Sequence, residues 1–168
     1  MSETKTVSIQ SDVGSVVLYD PAMLSQRVKA SASWWRTQPL ALSERAEGRF
    51  ALWPLGEGRA ANRTYRWRLG SALTDAEKPF DRGSSEPVLL RVEGEELFLG
   101  PIERLPGDGA GDRLPTLPDG GDIYPGEPGA YSVIVHVLDW RPEDRFWSED
   151  NEPTADAPVD FVVLLEKS

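Results

Sequence analysis

Short runs of alternating apolar and polar residues recur along the chain between Gly, Pro and Asp, the pattern of strands joined by tight turns. Thr6-Val-Ser-Ile-Gln10 alternates cleanly and predicts a half-buried strand. Asp12-Val-Gly14 predicts a turn, and Ser15-Val-Val-Leu-Tyr19 a second strand. Further strands are expected over residues 49–53, 64–69, 87–92, 96–100, 131–139 and 159–166. In 64–69 the period of two sets Tyr65, Trp67 and Leu69 on a core face, with Arg66 and Arg68 in solvent. Residues 131–139 are apolar on both faces and predict a central strand covered on two sides. Glu93-Gly94-Glu95 predicts a hairpin turn between 87–92 and 96–100. Asp20-Pro21 is a helix start, and Leu24, Val28, Ala32 and Trp35 follow at helical spacing. One short helix is therefore expected near residues 21–35, with Pro39 ending any continuation. Thr74-Asp-Ala-Glu77 predicts a single capped turn. The fold class is all-β: a sandwich or partly open barrel of about 8–10 mainly antiparallel strands plus that helix.

Two segments break the strand rhythm. Residues 105–129 hold seven Gly and five Pro and predict a long loop. Residues 141–158 predict an acidic loop with embedded aromatics. One β-rich domain spanning 1–168 is expected. Val7-Ser-Ile-Gln-Ser-Asp-Val-Gly14 is echoed by Leu90-Arg-Val-Glu-Gly94, which allows two pseudo-repeats, about 5–84 and 85–168.

Composition removes whole classes of chemistry. The 168 residues include no cysteine, so disulfides, thiolate metal sites and Cys nucleophiles are excluded. No apolar run reaches the ~18 residues of a membrane helix. The first 19 residues are polar and lack a signal-peptide core, so a cytoplasmic location is expected. The formal net charge is −10, and its placement is uneven. Residues 1–84 carry 12 Lys and Arg against 9 Asp and Glu, whereas residues 85–168 carry 6 against 19. Such a field opposes direct nucleic-acid binding and speeds encounter with a basic protein.

The candidate chemistries are few. His136 is the sole histidine and lies mid-strand between Val135 and Val137, so a structural imidazole is expected rather than a catalytic one. Gly56-Glu-Gly58-Arg-Ala-Ala61 matches a dinucleotide fingerprint in letters, but a strand follows where a helix is needed, so it reads as a hairpin loop. Asp108, Asp112, Asp119 and Asp122 fit no calcium-loop spacing and read as polar turn residues. Arg59, Arg63, Arg66 and Arg68 form a basic cluster whose arginines face solvent or pair with acids. No catalytic, metal or cofactor residue is expected, and no enzymatic activity. The segment richest in binding features is Asp139, Trp140, Glu143, Asp144, Phe146, Trp147, Glu149 and Asp150, where aromatics rimmed by carboxylates suit a basic partner.

Val7-x-Ile-x-Ser-Asp-x-Gly14, Gly48-Arg-Phe-Ala-Leu-Trp-Pro-Leu-Gly56, Leu97-Phe-Leu-Gly100 and Pro125-Gly-Glu-Pro-Gly-Ala-Tyr131 together resemble a family of small bacterial domains of unknown function. The arrangement is also similar to immunity-type proteins of toxin systems, including the inhibitor of the competence-associated nuclease. The resemblance implies a β-rich, non-enzymatic inhibitor or binding module; with the acidic loops, the expected partner is a basic protein such as a toxin or nuclease. The alternative is a small-molecule-binding sandwich or barrel with the 105–129 loop as lid.

Overall fold

The structure, a computed structural model, describes residues 5–27, 34–36, 38–56, 59, 63–106 and 120–168. Ten strands are present among them: β1 (Thr6–Ile9), β2 (Ser15–Tyr19), β3 (Ala51–Pro54), β4 (Tyr65–Gly70), β5 (Asp81–Ser84), β6 (Val88–Val92), β7 (Glu96–Pro101), β8 (Asp122–Pro125), β9 (Gly129–Leu138) and β10 (Phe161–Lys167). They form a sandwich. One sheet runs β1-β4-β10-β9-β5, with β6 also paired to β9; the other runs β3-β2-β7-β8. All pairs are antiparallel except β4 with β10. No helix of the described residues is long and apolar enough to cross a membrane.

Alternation along each strand builds three apolar layers. Val7, Ile9, Val16, Leu18, Tyr65, Trp67, Leu90, Leu97, Leu99, Val133, Val135, Phe161 and Val163 point between the sheets. The opposite faces are covered differently. On the four-stranded sheet, Val17, Tyr19 and Phe98 pack under Leu24, Trp34, Phe50, Ile102 and Leu105. On the larger sheet, Leu138 and Val162 pack under Phe80 and Phe146, each in a single 3-10 turn, and under Trp140 and Val159 from the connecting chain. The central strand expected over 131–139 is β9, which has β10 on one side and β5 and β6 on the other.

Several local expectations are corrected by topology. The helical start at Asp20-Pro21 is real, and Asp20 Oδ1 accepts the Ala22 N–H at 2.9 Å, but the segment Pro21–Arg27 is a 3-10 helix. The α-helix, α1, spans Gln38–Ala46. Pro39 therefore opens a helix instead of ending one, because proline's missing N–H costs nothing in the first turn. The glycine turn at Gly94 does not make a hairpin: β6 and β7 lie in different sheets, and the turn carries the chain between them. Asp20 Oδ2 holds it, accepting the Glu93 and Gly94 N–H groups at 2.7 Å each. A Cβ at Gly94 would stand 3.1 Å from Asp20 Oδ1, so a side chain there would push the buried carboxylate back by a few tenths of an ångström. Likewise β3 and β4 lie in different sheets, so the segment that contains Gly56 is a crossover and not a hairpin loop. Residues 105–129 are not loop throughout, since β8 pairs with β7.

Candidate surface for partner binding

The exposed side of the larger sheet is built by β4, β9, β10 and the segment that joins the last two. Arg66 and Arg68 project from β4 away from the inter-sheet core, as the alternation predicts, yet Arg68 is buried and Arg66 half-buried. Arg68 is buried and ion-paired with Glu77, its Nε donating to Oε1 at 2.6 Å and its Nη2 to the Ala72 carbonyl at 2.8 Å. Glu77 is set by the capped turn predicted at Thr74: the Glu77 N–H donates to Thr74 Oγ1 at 3.3 Å, and Glu77 Oε2 accepts the Thr74 N–H at 3.1 Å. Arg66 is half-buried; its Nη2 donates to the Ala157 carbonyl at 3.0 Å and also to that of Pro158, and its guanidinium lies 5.5 Å from the Trp140 ring. Burial pulls the Arg66 guanidinium pKa down; Asp160 opposes that pull and the charge of Arg141 adds to it. Connecting chain roofs this face, so a strand pattern that reads as half-exposed carries one buried and one half-buried cation instead.

Asp160 anchors the C-terminal end of that roof. It is buried, accepts the Arg66 backbone N–H at 2.9 Å, and takes Arg141 at both carboxylate oxygens, at 2.6 and 2.9 Å. The Arg141 guanidinium is also bracketed by the Tyr65, Trp140 and Trp147 rings at 5.2, 5.1 and 5.6 Å. The hydrogen bonds that Arg141 donates to Asp160 hold its guanidinium protonated more firmly than usual, against the opposing pull of burial. Two carboxylate bonds and three ring faces leave this guanidinium in one orientation.

The acidic segment is thus braced from below. Trp140 is fully buried and Phe146 nearly so, and the two rings meet edge to face at 5.9 Å. They are core residues, and of the three aromatics expected at a binding surface only Trp147, half-buried, borders solvent. Its Nε1 donates to the Arg141 carbonyl at 2.8 Å. Beyond it the chain reverses through Ser148–Asn151: Trp147 bridges Pro153, the Ser148 N–H donates to the Glu152 carbonyl at 2.8 Å, and Asn151 turns with φ 60°. Glu143, Asp144, Glu149, Asp150 and Glu152 are all exposed, whereas Asp139 is half-buried beside Arg82, with Nε to Oδ2 at 3.4 Å. The expected acids therefore lie outward, and the aromatics between them point inward.

At the foot of this loop lies a cleft of about 450 Å³ lined by Arg59, Arg63, Tyr65, Arg82, Leu138, Asp139, Arg141, Pro142 and Asp160. The sequence cluster of arginines contributes Arg59 and Arg63 to it; Arg82 and Arg141 come from distant segments and carry no sequence signal of their own. A second cleft, of about 400 Å³, lies between α1 and the edge strands β3 and β6, with Leu42, Phe50, Leu52, Val88 and Leu89 among its walls. His136 is structural in setting: Nδ1 stands 3.0 Å from Asp81 Oδ1. Of the four aspartates of the glycine-rich stretch, Asp122 pairs with Lys5 at 2.6 Å, and Asp108, Asp112 and Asp119 lie outside the described residues, as does most of the supposed lid.

No family model matches this chain, and no curated protein matches it in sequence. Solved structures do match in fold. One is described as crocagin biosynthetic gene J, with TM-score 0.52 and 14% identity over 98% of this chain and 97% of that one. Another is ComJ from Bacillus subtilis, an inhibitor of the DNA-degrading activity of NucA, with TM-score 0.52 and 9% identity over 100% of this chain and 99% of that one. The chain thus shares, end to end, the two-sheet architecture of a known nuclease inhibitor.

Proposed function

We propose that the protein is a non-catalytic binding module of the cytoplasm. It engages a basic protein partner through the acidic loop that links β9 to β10, in the manner of an immunity-type inhibitor of a toxin or nuclease. The observation that carries this reading is the bracing of that loop: Trp140 and Phe146 in the core and Arg141 locked on Asp160 fix the backbone that presents five exposed carboxylates. A preformed surface loses little conformational entropy on docking, and clustered carboxylates accelerate encounter with a cationic face. Likeness of fold to a nuclease inhibitor supports the same reading. Asp139, Glu143, Asp144, Glu149 and Asp150 are the steering charges, Glu152 joins them, and Trp147 is the aromatic contact at their edge.

Capture from a lysate of the protein's own cells tests this. Wild-type protein and the triple variant Glu149→Lys/Asp150→Lys/Glu152→Lys are immobilised side by side at low and high salt. A basic protein retained by the wild type at low salt, and lost from the variant, is the expected outcome. A retained set that ignores both salt and charge reversal contradicts the reading.

A further inference from the structure

The open edges of the two sheets are protected unequally. On one flank β1 and β8 close on each other: Ile9 bridges Gly120, and Lys5 pairs with Asp122 at 2.6 Å. β5 carries Asp81, Arg82 and a register shift, all of which discourage a further strand. β3, and β6 over residues 88–90, carry no charge, and they flank the cleft of about 400 Å³ beside α1. The cleft meets both strands edge on. Ala51 faces the inter-sheet core and Leu52 the helix-covered layer, yet both line it, as do the successive residues Val88 and Leu89. Backbone alternation agrees. The Leu55 N–H donates to the Gly14 carbonyl at 2.9 Å, so Ala51 and Trp53 exchange bonds with β2 and Leu52 turns its N–H and C=O outward. The Arg91 N–H donates to the Gly48 carbonyl at 2.7 Å, so Leu89, two residues earlier, also turns both groups away from β9. Among the described residues no strand takes these groups up. The same Arg91 bond closes one end of the cleft. Beside it the Gly48 N–H donates to the Arg45 carbonyl at 3.0 Å, which sets Arg45 at the closed end. The Arg45 guanidinium has no carboxylate partner among the described residues, since Glu44 pairs with Arg27 and Arg49, and Glu47 with Arg49.

We propose that this cleft docks the apolar C-terminal end of a partner protein as an added strand. Its backbone pairs with β6 at Leu89, the more exposed of the two edge positions. Its side chains rest on Leu42, Leu52 and Val88, and its terminal carboxylate meets Arg45. A chain end suits a slot closed at one side, where a continuous chain has no exit. The site stands apart from the acidic-loop reading, since it uses none of the carboxylates between β9 and β10.

An NMR titration of the full-length protein with N-acetylated Ser-Thr-Val-Val-Leu, its C-terminal carboxylate free, tests it. Saturable shifts of the Arg45, Leu52 and Leu89 amide signals are expected, with a Kd on the order of 0.1–1 mM. The C-terminal amide of the same peptide binds about fivefold or more weakly. Arg45→Ala weakens binding of the acid to a similar extent and leaves that of the amide within about twofold. Two peptides singly N-methylated at one or the other valine differ in affinity by about fivefold or more, because successive N–H groups of a strand point to opposite sides. Absence of saturable binding up to about 5 mM overturns the proposal. So do equal losses for acid and amide in Arg45→Ala, equal effects of the two methylations, or saturable shifts that leave Arg45 and Leu89 unmoved. Decanoate binding more tightly than the peptide would make the cleft a lipid site instead, and the same signals moving with protein concentration alone would assign it to a second copy.

Discussion

The two sheets of the sandwich solve the same problem in different ways. Each must cover an outer face that is too apolar for water. The four-stranded sheet uses α1 and two 3-10 segments: Leu24 and Trp34, with Phe50 just before β3, close over Val17, Tyr19 and Phe98, and the buried Glu44 of α1 is held by Arg27 and Arg49. The larger sheet uses loops broken by single 3-10 turns, in which Trp140, Phe146 and Phe80 fill the space, Arg66 and Arg68 bind backbone carbonyls and Arg141 binds the Asp160 carboxylate. A helix satisfies its own backbone and leaves its outer side chains free, here the exposed Leu40 and Leu42. A loop roof must find partners for its carbonyls, and guanidinium groups supply them. The loop-covered face is accordingly the charged one, with carboxylates outward, arginines inward and a cleft where the arginines surface.

That contrast can be broken most severely at the buried pair. Glu77→Ala leaves Arg68 unpaired beneath the roof and should cost roughly 3–5 kcal/mol of unfolding free energy in urea. Glu77→Leu combined with Arg68→Met should recover much of the loss, because two apolar side chains need no charge partner. Recovery no greater than additivity would show that the pair is not coupled. Truncation of the roof itself comes next. Trp140→Ala removes a fully buried ring and should cost about 3–5 kcal/mol. It should also speed proteolysis within residues 148–152, whereas a cavity mutation in the helix-covered face, Leu24→Ala, should leave cleavage there unchanged at equal stability.

Smaller effects sharpen the comparison. Asp139→Asn, which removes the half-buried partner of the exposed Arg82, should change stability by less than about 1 kcal/mol. Leu42→Ser, on the solvent side of α1, should stay within about 0.5 kcal/mol. Asp81 contributes a pH-dependent increment. Burial pushes its pKa up, but the His136 hydrogen bond, the Gly83 N–H and the His136 charge outweigh that, so it titrates below the usual range. A carboxylate with a depressed folded-state pKa stabilises above its unfolded value, about 3.9, and that contribution fades as pH falls through the folded one. Asp81→Asn should therefore lower Tm at neutral pH and narrow the gap to wild type in strong acid. A gap that widens in acid would reverse the assignment.

How much of this was legible in the sequence depends on range. Alternation gave β1, β2, β4, β6, β7, β9 and β10 nearly in place, because each buries one or both faces regularly. It missed β5, whose Asp-Arg-Gly-Ser offers no apolar face and which exists only because β9 presents an edge to pair with. It missed β8 because only Ile123 and Tyr124 carry its apolar faces, between the prolines and glycines on either side, and its pairing with β7 is set by tertiary structure. The site was half legible. The carboxylates of the acidic loop stand out from composition, and their exposure follows. The fate of the neighbouring aromatics does not, since Trp140 and Phe146 are buried by a sheet face that only tertiary structure creates. The arginine cleft draws on four separated segments and on a topology that no local pattern encodes.

The most direct test of a braced acidic loop as a docking surface is the association rate with the captured partner, measured from about 25 to 250 mM salt. Electrostatic steering predicts a fall of about tenfold or more, a dissociation rate that barely moves, and a slope flattened by Glu149→Lys/Asp150→Lys/Glu152→Lys. An association rate indifferent to salt, or a slope unchanged in the variant, would contradict it.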